Sequence, residues 1–365
     1  MDANIGRQGM RVGNAWLVLA GVSAVACQKP ESAAPTGPCV SCTWQLLGIH
    51  TQASAQPPAT GKALVTLCPW RGKLYVGYGD YETNTGPVDV TAWDPARSEF
   101  TRMHISDTEA IYNYRPIGDA LYAPATDRRD HADYAVGEPW RDENPVTVAH
   151  AYDMATFDGG DLWLVGSVEG GHYPATAWRS TDGGAHWTVA HQTAQTARYY
   201  FAALFRHRLY VEAWWNVPEG PSEAFDGTGW SPGPELLPGG GHGYRPVVFA
   251  DRLVYASKQT FTYASATIAA IRHQLVATPN RLLAFDGTAV TAILDRELLD
   301  FFADDRQLLA LDTDGTIWCT TDLTRWSRLT TAAELHPRSL AVLDGSVYLG
   351  TTDSRLYRLV GWTSG

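Results

Sequence analysis

The residues of this sequence best equipped for chemistry gather immediately before or after short apolar runs. Tyr114-Arg115, His150-Ala151-Tyr152-Asp153, Arg198-Tyr199-Tyr200, His242-Gly243-Tyr244-Arg245 and His336-Pro337-Arg338 precede such runs. Gly79-Asp80-Tyr81-Glu82-Thr83-Asn84-Thr85-Gly86-Pro87, Asp127-Arg128-Arg129-Asp130-His131, Glu169-Gly170-Gly171-His172-Tyr173 and Trp214-Trp215-Asn216 follow them. Arg115, Arg198, Arg245 and Arg338 carry planar guanidinium groups, which grip a carboxylate or another anion through paired hydrogen bonds. Tyr81, Tyr152, Tyr199 and Trp215 offer ring faces on which a sugar stacks, and Asn84, His150 and His242 supply further polar contacts. Asp80 and Asp153 are the carboxylates to serve as acid and base if the site is catalytic. His150, His242 and His336 are metal donors by type. No His-x-His or His-Glu-x-x-His spacing accompanies them, so neither a metal nor any other cofactor is expected. A structural role competes for the arginines: Tyr114-Arg115-Pro116 and Tyr244-Arg245-Pro246 repeat one pattern, as a packing device between modules would.

The elements that must position these residues recur. A Leu-Tyr-Val-Gly-like strand returns seven times, at Leu74–Gly77, Leu121–Ala123, Leu162–Gly166, Leu209–Val211, Leu253–Ala256, Leu308–Leu311 and Val347–Gly350. The spacing is roughly 35–55 residues, a period that points to propellers or solenoids. Most copies follow a turn such as Asp344-Gly345-Ser346, as a tight hairpin requires. Alternating third strands (Val88–Trp93, Ala175–Trp178, Leu282–Phe285, Thr316–Cys319) and short fourth strands (His186–Val189, Arg325–Leu329) complete the unit. Four strands per unit is the blade of an all-β propeller with seven four-stranded antiparallel blades. The last copy supplies three strands. Trp44–Ile49 has fourth-strand character and is expected to complete that blade and close the ring, removing an exposed edge. The fifth unit is irregular between Lys258 and Asn280, where an insertion or a further strand pair fits.

Composition agrees. The chain has 365 residues, beyond the size of one ordinary core, so the core must be spread over modules. Fourteen Trp and 17 Tyr beside 34 Gly and 18% charged residues suit short strands and tight turns, not helices. The net charge of −11 comes with no basic run, which argues against nucleic acid.

The first 26 residues read as an export signal: Arg7 and Arg11, then the apolar run Ala15–Ala26, too short to span a bilayer. Ala24-Val25-Ala26-Cys27 resembles a bacterial lipobox, which implies a lipid on Cys27, a Pro/Ala/Ser tether over 27–42 and the propeller over 43–365. The expected product is an exported, membrane-anchored lipoprotein of the outer membrane or cell surface, held by its lipid anchor and monomeric. Cys39, Cys42, Cys68 and Cys319 remain, in a compartment that permits disulfides. Cys39-Val40-Ser41-Cys42 is better read as a structural disulfide or two unpaired thiols than as a zinc pair, and the pairing of the four stays open.

Ser180-Thr181-Asp182-Gly183-Gly184-Ala185-His186-Trp187 matches the Asp-box (BNR) pattern Ser-x-Asp-x-Gly-x-x-Trp at every defined position, and Thr321-Asp322 with Trp326 looks like a shorter copy. Asp226-Gly227-Thr228 and Asp286-Gly287-Thr288 look like eroded ones. The chain thus resembles sialidase-like propellers, in which the motif supports the fold and lies away from the catalytic face. Such propellers include glycosidases and glycan-binding proteins. The sialidase Phe/Tyr-Arg-Ile-Pro motif is not matched, since Pro directly follows Arg at Arg115 and Arg245. The expected function is binding of a glycan or an extracytoplasmic protein on the central loop face. The alternative is a sialidase-like glycoside hydrolase or lyase acting on extracellular polysaccharide.

Overall fold

The computed structural model describes residues 39, 41–80, 86–126, 132–146, 148–157, 160–168, 173–214, 222–238, 241–258 and 280–362. They form seven four-stranded antiparallel sheets arranged as the blades of a propeller. The innermost strands are Thr66–Trp70 in blade 1, Arg115–Ile117 in blade 2, Val148–Phe157 in blade 3 and Arg198–Phe205 in blade 4. Blades 5, 6 and 7 contribute His242–Phe249, Leu298–Ala303 and Pro337–Leu343. Each is followed outward by the expected Leu-Tyr-Val-like strand. These second strands are buried on both faces, which is why they read as continuous apolar runs without polar alternation.

Ring closure follows the sequence reading. Thr43–Ile49 pairs antiparallel with Arg355–Val360, outermost in blade 7. The register opposes Trp44 to Leu359 and Gln45 to Arg358. Blade 5 is regular in its described strands, with Leu282–Phe285 third and Val290–Leu294 fourth. Most of its doubtful stretch, 259–279, lies outside the described residues.

The core is distributed over the seams between blades. Trp163, Tyr199 and Phe225 fill the seam between blades 3 and 4, and Phe201, Tyr255 and Phe285 that between blades 4 and 5. Aromatic pairs at 5.1 Å (Trp163–Phe225) and 5.4 Å (Phe201–Tyr255) give these contacts specific geometry. The high Trp and Tyr content is thereby explained: flat rings fill the wedge between sheets that diverge from a common axis.

In blades 1, 3, 4, 5 and 6 the turn between third and fourth strands uses one device, an Asp whose carboxylate accepts backbone N–H groups just ahead of it. Asp226 accepts from Thr228 and Gly229 at 2.9 and 3.0 Å, and Asp286 from Thr288 and Ala289 at 2.8 Å each. Asp182 accepts from the His186 N–H at 2.9 Å and from Ser180 Oγ at 2.8 Å, while Trp187 Nε1 donates to Gly184 O at 3.0 Å. These bonds favour the ionised form: the His186 N–H chiefly holds Asp182 at about 2, and the Thr228 hydroxyl chiefly holds Asp226 at about 2. Chemically, the motif is a turn lock.

Cys39 and Cys42 form a disulfide, and Cys68 and Cys319 are free thiols. The disulfide packs beside Trp44 at the seam of blades 6 and 7, where the Cys39 N–H donates to Leu329 O at 3.0 Å and Trp44 Nε1 to Thr331 O at 3.0 Å.

Candidate functional site

The residues singled out from the sequence lie mostly on the innermost strands, at the end where each strand begins (here the top). His150 to Asp153, Arg198 to Tyr200, His242 to Arg245 and Arg338 were expected in loops; all lie within strands that start earlier than the apolar pattern suggests. The reason is a set of β-bulges near the top of the innermost strands, between Ala151 and Asp153, Tyr199 and Phe201, Tyr244 and Val247, Leu298 and Asp300, and Pro337 and Ser339. A bulge breaks the two-residue alternation and re-aims side chains, here into the central channel. Arg245 is itself in the left-handed region, with φ of 54°, a conformation that costs energy in a non-glycine residue.

Two ion pairs bar the channel. Arg115 Nε and Nη2 donate to Asp153 Oδ1 and Oδ2 at 2.5 and 2.6 Å, and its Nη1 donates to Pro246 O at 2.9 Å, reaching from blade 2 to blade 5. Asp153 also accepts from Asn113 Nδ2 at 2.7 Å and from the Ala202 N–H of blade 4 at 3.0 Å. Three blades on, the pattern repeats. Arg245 of blade 5 donates to Asp300 of blade 6, and Asp300 accepts the Leu340 N–H of blade 7 at 2.9 Å. Arg245 Nη2 reaches Thr66 Oγ1 of blade 1 at 2.8 Å. Burial opposes the Arg115 charge, but Asp153 outweighs it and raises the guanidinium further. At Asp300, burial wins over Arg245 and raises the carboxyl above its usual range.

Above these bars lies a cavity of about 110 Å³. One wall is an aromatic ladder across blades 3, 4 and 5. His150 lies 5.9 Å from Tyr152, Tyr152 lies 4.4 Å from Tyr200, and Tyr200 stacks on His242 at 4.1 Å and 21°. Tyr112, Asn113 and Tyr244 continue the lining, and Arg245 with Asp300 forms its floor. Arg198 stands behind the ladder, its Nη1 donating to the Tyr152 hydroxyl at 2.8 Å. Arg338 lines the cavity from blade 7, with Nη1 donating to Leu299 O at 3.1 Å. Among the described residues no carboxylate pairs with it, which distinguishes it from Arg115 and Arg245.

The sequence-selected residues therefore divide. His150, Tyr152, His242, Arg245 and Arg338 line the cavity. Arg115 and Asp153 are not among its lining residues; they form one of the bars. Tyr199 turns the other way, fully buried between blades 3 and 4, where its hydroxyl donates to Glu223 and Glu223 meets His191 Nε2 at 2.8 Å. Asp80 is also buried away from the cavity, accepting the Thr60 hydroxyl while its N–H donates to Glu109 O at 3.1 Å. Tyr81, Asn84, Trp215 and the proposed lipidation site Cys27 lie outside the described residues. Sequence reasoning missed Tyr112, Asn113, Tyr200, Tyr244 and Asp300. Tyr200 and Tyr244 sat inside quoted motifs, and only the bulges decide that Tyr200 replaces Tyr199. Asp300 carried no signal. No cluster of three or more His, Cys, Asp or Glu is arranged to hold a metal ion among the described residues.

The fold defines the class: an all-β, seven-bladed β-propeller. Among solved structures, it is similar to selenomethionine-substituted virginiamycin B lyase from Staphylococcus aureus, with a TM-score of 0.59 and 10% identity over 87% of this chain and 99% of that one. The computationally designed Ika8 protein gives a TM-score of 0.45 at 11% identity, over 82% and 96% of the two chains. At 10% identity the likeness to the lyase speaks for fold alone. No family model and no curated protein matches the sequence.

Proposed function

We propose that this chain is an exported, membrane-anchored binding module that takes a glycan in the cavity at the top of its central channel. The observation that carries this reading is the composition of the cavity. Ring faces from three adjacent blades stand beside Arg338, a guanidinium not spent on a carboxylate, above a closed floor. Sugar rings stack on such aromatic faces, and an arginine held by one carbonyl keeps donors for an anionic substituent. Export and anchoring rest on the N-terminal sequence through Cys27. The resemblance of Ser180–Trp187 to the Asp-box agrees with a sialidase-like propeller scaffold.

Binding is favoured over glycoside hydrolysis by the fate of the two carboxylates nominated as acid and base. Glycosidase chemistry needs two carboxyl groups, or a carboxyl and a tyrosine, facing one pocket within roughly 10 Å. Asp80 and Asp153 both lie outside the cavity lining, and Asp300, the carboxyl that does line it, is held by Arg245 and the Leu340 N–H. Asp153 in particular is saturated by Asn113, Arg115 and the Met154 and Ala202 N–H groups. The test is a glycan array probed with the full chain in detergent, beside a panel of fluorogenic glycosides. Binding without turnover, lost in Tyr200→Ala and Arg338→Ala but kept in Asp80→Asn, supports the reading. Turnover of any glycoside would return the chain to the hydrolases, and silence toward every sugar would point to a protein partner.

A further inference from the structure

Behind the cavity wall sits an acid that none of the above uses. Glu212 belongs to the second strand of blade 4 (Arg208–Trp214), and its carboxyl is inserted into the seam with blade 5, only 2% exposed. Its Oε2 accepts the N–H of Gly243 at 3.0 Å. Gly243 lies between His242, which stacks on Tyr200, and Tyr244, and all three line the cavity. The position admits no side chain, since a Cβ on Gly243 would stand 2.3 Å from Phe201 Cε1. The backbone here is thus wedged between the Phe201 ring and the Glu212 carboxyl. That contact sets where the blade 5 side of the ladder stands.

We propose that Glu212 is a positioning residue for the cavity, holding the His242–Tyr244 wall against blade 4 as a neutral acid and releasing it when its proton is lost. The physical argument concerns where a charge would go. Among the described residues, a carboxylate in this seam would have one N–H donor and no cation. The described charged and titratable groups around it are engaged elsewhere. Arg198 bonds Tyr152, Arg245 bonds Asp300, and Tyr255 donates to Leu236 O. Tyr199 and His191 are bound to Glu223, which alternates to the other face of the neighbouring strand from Ser222, the residue opposite Glu212. His242 turns its ring onto Tyr200. Burial accordingly raises the Glu212 carboxyl to about 8, opposed only by the Gly243 N–H. Hydrating the ionised form requires opening the seam between blades 4 and 5, which displaces the ladder. By linkage, a ligand that needs the closed wall favours proton uptake, and its affinity falls as pH rises through 8.

This inference rests on the cavity being the binding site, so its first test needs no ligand. Hydrogen–deuterium exchange over residues 242–249 is measured in the full chain at pH 7 and pH 9, each corrected for the intrinsic exchange rate, beside Glu212→Gln. Gln keeps an acceptor for the Gly243 N–H and cannot ionise. The expected result is an approximately tenfold loss of protection at pH 9 in the natural chain and none in Glu212→Gln. Equal protection at both pH values in the natural chain overturns the proposal even if the variant fails to fold. If the pH-dependent opening is found but no glycan binds, the seam device stands and the glycan reading falls. Where a glycan on the array does bind, its affinity should drop severalfold between pH 7 and pH 9 only in the natural chain.

Discussion

Removing the carboxylate of Asp153 should be among the most damaging single changes in this protein, and the structure sets the scale. In Asp153→Leu the Arg115 guanidinium keeps its bond to Pro246 O but loses both bonds to the carboxylate, leaving a charge in a side chain only 18% exposed. Breaking a buried pair from one side costs about 3–5 kcal/mol. The Ala202 N–H loses its acceptor as well, worth about a further 1–3 kcal/mol if water does not reach it. Arg115→Met strands Asp153 instead, but that carboxylate retains the Asn113, Met154 and Ala202 donors, so this variant should cost less. The double variant strands no charge. Its cost should fall below the sum of the singles by about 2 kcal/mol or more. Urea unfolding followed by circular dichroism at pH 7 measures all four corners of the cycle. An Asp153→Leu cost under about 1 kcal/mol, or strict additivity of the singles, would refute the assignment of this pair as a buried floor of the channel.

Two further outcomes follow from groups away from the channel. His50 is fully buried, its Nδ1 accepting the Ala53 N–H at 3.0 Å, and burial holds its pKa down at about 4 against an ordinary 6.5. The stability tied to neutral His50 is whole above pH 6.5 and drains as pH falls toward 4. His50→Asn, which keeps a cap acceptor, should therefore gain about 2–3 kcal/mol on the natural chain between pH 7 and pH 4.5, read from urea midpoints at the two pH values. Cys39→Ser with Cys42→Ser removes a very short covalent loop, worth about 2 kcal/mol. Because the disulfide packs beside Trp44, the loss should appear as faster hydrogen exchange in Thr43–Ile49, while the inner strands of blades 3 and 4 stay protected.

Much of the fold was legible in the sequence because each blade writes the same message. The second strands, Leu74–Gly77 to Val347–Gly350, are buried on both faces, so their apolar runs are unbroken and their recurrence counts the blades. The closing strand was legible by elimination, since the last unit lacks a fourth strand and Trp44 leads an orphan one. The site was legible only in part. Its residues were found because large polar and aromatic side chains are out of place beside strands, but their directions depend on bulges that no local pattern announces. Tyr199 and Tyr200 show the difficulty: the register shift between Tyr199 and Phe201 decides which ring meets the ladder and which is buried against Glu223. The opposite fates of Arg245 and Arg338 were equally invisible, since each depends on a partner from another blade.

Those fates follow one rule of succession around the ring. An arginine near the top of one innermost strand pairs with an Asp at a bulge of the next blade, and that Asp accepts a backbone N–H from the blade after. The rule holds from blade 2 through blade 4 and again from blade 5 through blade 7. Arg338 of blade 7 lies outside this succession, and the blade that follows it is blade 1. There the innermost strand, Thr66–Trp70, contains no Asp, and the Thr66 hydroxyl is already taken by Arg245. Arg338 thus forms no ion pair of its own among the described residues, feeling Asp300 only through space, while Arg245 takes that carboxylate directly. Because Arg115 bonds Pro246 O, next in the chain to Arg245, the two bars brace one another.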